Sequence, residues 1–231
     1  MWRWIWILLS LAALKCLLGI AGFIASSLGA VQADPSVALR WLSLASLLSF
    51  SLVGGLLVWA GRRDRRAVYL GAVYLLTAPS ISNALYGGLL TARLPLLSQV
   101  TEFFYRLQPD VFLPLFIWLF FDEFPRRPAF GLMRAIPRWA AWISAAAALL
   151  LLGLSLFGSP AASVGPGGGP AVSQGKAIDL YGWSLLLVLS FPALLFALWK
   201  IRDAPVEERR RARLFLAGLS IGLVPPLTAL L

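Results

Sequence analysis

The chain has 231 residues, of which 60% are hydrophobic and 13% charged, and it carries a net charge of +10. A soluble domain carries roughly 25% charged residues, so this composition excludes an ordinary soluble globule. The basic excess falls between apolar runs, as in the inner loops of membrane proteins. Nucleic-acid binding needs a soluble basic face, and no stretch of this chain supplies one.

There is no histidine and a single cysteine, Cys16. Histidine metal sites, Ser-His triads and a histidine phosphoacceptor are therefore excluded within this chain, as are an intrachain disulfide and a Cys-rich metal site. No metal, cofactor or enzymatic activity is expected, and Cys16, inside an apolar run, reads as a small packed residue. The alternating polarity of a transmembrane β-barrel is missing. The expected fold is all-α: a polytopic transmembrane helical bundle of about seven spans with a cytoplasmic N-terminus.

The first span is expected at about 4–30, with Trp2, Trp4 and Trp6 as an interfacial anchor. Val31-Gln32-Ala33 resembles a signal-peptidase site. The apolar run is much longer than the roughly 7–15 residues of a signal peptide, so an uncleaved anchor is expected. The second span covers about 41–61, with small and serine-rich surface suited to helix contact, and stops at Arg62-Arg63-Asp64-Arg65-Arg66. The third covers about 67–89. Its later half, Thr77-Ala78-Pro79-Ser80-Ile81-Ser82-Asn83, is polar, which fits a kinked packed helix or the wall of a cavity open to the outside.

In residues 94–107, Leu94, Leu96, Leu97, Val100, Phe103, Phe104 and Leu107 recur near helical spacing, as in a helix lying on the interface. Glu102 and Arg106 stand four apart and suit an ion pair. The fourth span covers 108–124. Pro109 fits its first turn, Pro114 should add a bend, and Pro125 should end it.

The fifth span covers about 139–157. The Gly-, Pro- and Ser-rich stretch 158–177 reads as a flexible outer loop and lacks the spacing of a phosphate-binding loop. The sixth span covers about 180–199 and contains Pro192. The seventh covers 212–231 with Gly218 and Gly222 at packing spacing. This arrangement places fifteen basic residues inside and four outside, with Lys15 within a span.

Lys15 is the sharpest anomaly. A charged lysine near mid-bilayer costs at least about 2.5–3.5 kcal/mol. It is either paired with a carboxylate inside the bundle or, if the span starts later, snorkels to the inner interface. A second polar group gathers near the outer ends of the third and fourth spans. Its candidate ligand-binding members are Asn83, Tyr86, Glu102, Tyr105, Arg106 and Asp110, and an ordinary satisfied interface would use the same residues. No pair among them has catalytic spacing.

Two stretches carry a family resemblance. One is Pro109 through Pro125, of the form PxxFLPLFxxxFxxxFP. The other is Ala204-Pro205-Val206-Glu207-Glu208-Arg209-Arg210-Arg211-Ala212-Arg213, followed by leucine-rich sequence with Gly218, Gly222 and Pro225. With them, residues 100–231 resemble the N-terminal multi-span sensor region of bacterial signalling proteins: histidine kinases of the pheromone-receptor type and related membrane-tethered phosphatases. Family members carry a cytoplasmic catalytic region after the last span, whereas this sequence stops within or just after the expected seventh span. A stand-alone relative and a piece of a longer protein are both open.

The resemblance implies a sensor or receptor module in a bacterial inner (plasma) membrane. Its partners would be membrane lipids, a small-molecule or peptide ligand on the outer side, a cytoplasmic signalling domain or partner, and a second copy in a homodimer. A small polytopic transporter or channel subunit is the alternative. A lipid-directed enzyme is disfavoured by the missing histidine and the lack of clustered acids.

Overall fold

The computed structural model describes residues 3–25, 27, 37–85, 95–124, 132–157, 172–202, 205–207 and 209–210. It is all-helical, with no strand among the described residues. The α-helices are α1 (Arg3–Ala25), α2 (Val37–Ala60), α3 (Arg65–Ser82), α4 (Pro95–Arg106), α5 (Leu113–Glu123), α6 (Leu132–Phe157) and α7 (Val172–Arg202). Short 3-10 turns at Asn83–Leu85 and Pro109–Phe112 follow α3 and precede α5.

Four helical stretches are long and apolar enough to cross a bilayer: Trp4–Ala25, Arg40–Ala60, Ala135–Leu156 and Ser184–Arg202. Two of them turn broad apolar faces outward. Trp41, Leu52, Leu56 and Trp59 are exposed on α2, and Trp139, Trp142, Leu149 and Leu154 on α6. Such faces match a lipid surrounding rather than water.

The expected third and fourth spans take a different form. α3 begins at two arginines and is buried along much of its length by α1, α2 and α5. Asp64 starts it, its carboxylate accepting from the Arg66 N–H at 3.1 Å, an N-cap that satisfies one of the helix's orphan donors. Gly54 of α2 and Gly71 of α3 let the two backbones touch. A Cβ on Gly71 would stand 2.8 Å from the Gly54 carbonyl oxygen and 2.9 Å from the Val58 nitrogen.

The fourth expected span is two pieces: the Pro109–Phe112 turn and the eleven-residue α5. At about 1.5 Å per residue, α5 is only about 16 Å long. From Leu113 to Phe121 it is apolar all round because it is the centre of the bundle. Pro114, Leu115, Phe116, Ile117, Trp118, Phe120 and Phe121 are all buried, against α3, α6 and α7. The Phe116 ring lies 5.9 Å from that of Trp4 on α1, and Trp118 Nε1 donates to the Leu189 carbonyl of α7 at 3.0 Å. Pro114 falls in the first turn of α5, where its missing N–H would have no intrahelical partner anyway. The bend expected there is replaced by a change from 3-10 to α geometry just before it.

Other boundaries shift as well. α6 starts at Leu132 and takes in Pro137, and α7 starts at Val172 and so includes part of the stretch read as a flexible loop. Residues 158–171, the Val31-Gln32-Ala33 motif and the seventh span at 212–231 lie outside the described residues.

The packing sets a common direction. Arg65 lies 4.0 Å from Glu123, and Lys200 reaches the carbonyls of Phe121 and Asp122. The start of α3, the end of α5 and the end of α7 therefore share one end of the bundle, the arginine end. At the opposite end Gly19 of α1 meets Ser82 of α3, and Ser155 of α6 donates to the Arg106 carbonyl of α4.

Candidate functional site

A helix leaves its last carbonyls without intrahelical donors. In an apolar surrounding those carbonyls need partners from elsewhere. The segment from α4 to α5 ends two helices inside the bundle, and at each end a buried lysine supplies the donor.

Lys15 serves the first. It stands twelve residues, about 18 Å, after Arg3 and ten residues, about 15 Å, before Ala25. Its side chain is fully buried, and its Nζ donates to the carbonyl of Leu107, the residue just past α4. Lys15 is thus mid-helix and completely buried, and the bond to Leu107 is to a backbone carbonyl. The Ser155 hydroxyl takes the neighbouring carbonyl of Arg106. Two donors from α1 and α6 thus cap α4 where the chain leaves the helix at Leu107 and Gln108.

Lys200 serves the second. It is 4% exposed, in the last turn of α7. Its Nζ donates to the carbonyls of Phe121 and Asp122, each at 2.9 Å. An ammonium beside the last carbonyls also complements the negative end of the α5 dipole.

The polar residues singled out in the sequence separate into two groups. Asp110 lies on the Pro109–Phe112 turn with a buried side chain, close in sequence to the carbonyl that Lys15 holds. Asn83 begins the 3-10 turn after α3, with its Oδ1 buried and without a hydrogen bond. Glu102 and Tyr105 instead lie on the exposed face of α4, where Glu102 pairs with Arg106, so they do not join the buried set. Tyr86 lies outside the described residues.

The polar half of α3 is satisfied within its own helix. Thr77, Ser80 and Ser82 donate to the carbonyls of Val73, Thr77 and Pro79. These hydroxyls therefore have partners within α3 itself. Thr101 of α4, fully buried, and Ser144 of α6, 1% exposed, are further buried polar groups. Neither they nor Ser155 and Lys200 stood out in the sequence. A lysine closing an apolar run is ordinary there, and isolated hydroxyls are common in membrane helices. Among the described residues no group of three His, Cys, Asp or Glu side chains is placed to hold a metal ion.

Fold and site together define an all-helical protein with four helices able to cross a membrane, built around a short buried helix. Compared with protein-family models, curated proteins and solved structures, the chain matches none of them.

Proposed function

We propose that the chain is a sensor or receptor module of the bacterial inner (plasma) membrane, with the arginine end and the N-terminus cytoplasmic. It couples an extracytoplasmic or membrane-borne signal to a cytoplasmic output and performs no chemistry of its own. The ligand is a small molecule or peptide, and the output runs through a cytoplasmic signalling domain or partner. The orientation follows the bias of Lys and Arg toward cytoplasmic loops; the full seven-span topology adds 212–231 as the last span. One observation carries the reading: α5 is a buried core element whose approach is held by Lys15 of α1 and whose far end is held by Lys200 of α7. A change at either end therefore has a packed path to the other.

The test measures that coupling. Spin labels on Arg63→Cys and Arg202→Cys, in a Cys16→Ala background, report the separation of the arginine-end elements in lipid nanodiscs. Asp110→Asn, at the opposite end, should shift or broaden that distance distribution. An unchanged distribution in a folded variant would remove the basis for a sensor.

A second reading has its own support. A helical path interrupted inside the bundle, with a buried charge at the break, is also how transporters build sites for ions or charged substrates. Uptake of protons or alkali cations by proteoliposomes, lost in Asp110→Asn, would favour a transporter or channel subunit.

A further inference from the structure

Lys15 presents three N–H donors in the middle of a bilayer-length helix, and one of them goes to the Leu107 carbonyl. A buried ammonium is retained only when its charge and its remaining donors are compensated. Asp110 is the buried carboxylate among the described residues. It sits three residues beyond Leu107 on the 3-10 turn that opens toward α5, and it too must find a counter-charge in this surrounding. Four other carboxylates are engaged or placed elsewhere. Glu102 pairs with Arg106 on the surface, Asp64 caps α3, and Asp122 and Glu123 lie at the arginine end.

We infer that the Leu107 carbonyl and the Asp110 carboxylate form a binding site for a single primary ammonium group, and that Lys15 is its built-in occupant. The carbonyl contributes a directed acceptor at the end of α4, where the helix dipole is negative. The carboxylate contributes the opposite charge. The occupant is tethered to α1, so filling the site fixes α1 against the α4–α5 break. The site exists whether the protein senses or transports.

Removing the tether while keeping the site tests this directly. Lys15→Ala deletes the three carbons and the ammonium beyond Cβ, which is the outline of n-propylammonium. In detergent micelles Lys15→Ala should unfold at a lower temperature than wild type. Added n-propylammonium should restore the midpoint in a saturable way, as a ligand that binds only the folded state must. Tetramethylammonium, with equal charge and no N–H donors, should not. In Lys15→Ala/Asp110→Asn the n-propylammonium effect should vanish.

A midpoint unchanged by Lys15→Ala, equal effects of the two amines, or rescue that survives Asp110→Asn would each overturn the site. If Lys15→Ala does not accumulate as folded protein, Lys15→Met/Asp110→Asn decides. The uncharged pair should be recovered in greater yield than either single variant, and a yield no better than the worse single variant would overturn the assignment.

Discussion

Lys15 and Lys200 each place an ammonium on carbonyls at a helix end, yet the two ends are built differently. Lys200 lies two residues before the exposed Arg202, at the margin of the bundle, and finds two carbonyls at the end of α5. Lys15 is buried halfway along α1, where neither end of its helix is within reach of its side chain, and the structure gives it the Leu107 carbonyl. At the margin, water is near and a dipole with two carbonyls is enough to hold a cation. In the middle, a second charge is required. The cost of losing each lysine should differ accordingly.

The largest expected effect sharpens that difference. Lys15→Met should lower the unfolding free energy in micelles by about 3–5 kcal/mol, the range for stripping one partner from a buried charge pair. Lys200→Met should cost less, about 1–3 kcal/mol, because it leaves uncharged carbonyls without donors. Denaturant titration of both variants in the same micelles compares them, and equal losses would break the distinction.

Ser155→Ala removes the second donor at the Lys15 end. It should cost about 1 kcal/mol, as for single hydrogen bonds between membrane helices, and the same titration reads it. Glu102→Gln should change stability by only about 0.3–0.5 kcal/mol, because its pair with Arg106 is solvent-facing and local to α4. A large loss there would mean that the surface face of α4 belongs to the site.

The sequence showed some of these features and hid others for physical reasons. α1, α2, α6 and α7 were legible because a helical apolar run of about 20 residues matches the thickness of a bilayer's hydrocarbon core. Residues 108–124 present the same apolar signal, but hydropathy does not distinguish lipid from protein as the surrounding, and here the neighbours are other helices. Pro114 shows how much a boundary matters: α5 begins one residue before it, so a proline expected to bend a helix instead starts one.

The candidate site was legible in part. Lys15 was visible as a charge in an apolar run, and Glu102 with Arg106 as a helical pair. Asp110 was grouped with Tyr105 and Glu102 by closeness in sequence; in the fold Asp110 is buried on the turn while those two are exposed on α4. Lys200 was indistinguishable from an ordinary loop cation, since only the position of α5 makes it a buried cap.

The central claim is that α5 links the two ends of the bundle. Amide hydrogen exchange of residues 117–124 in lipid nanodiscs, compared between wild type and Lys15→Met, tests it most directly. Local opening of that segment reports how firmly its arginine end is held. The account predicts faster exchange there, although the substitution lies near the opposite end of the segment. Exchange accelerated around 107–112 but unchanged at 117–124 would contradict it.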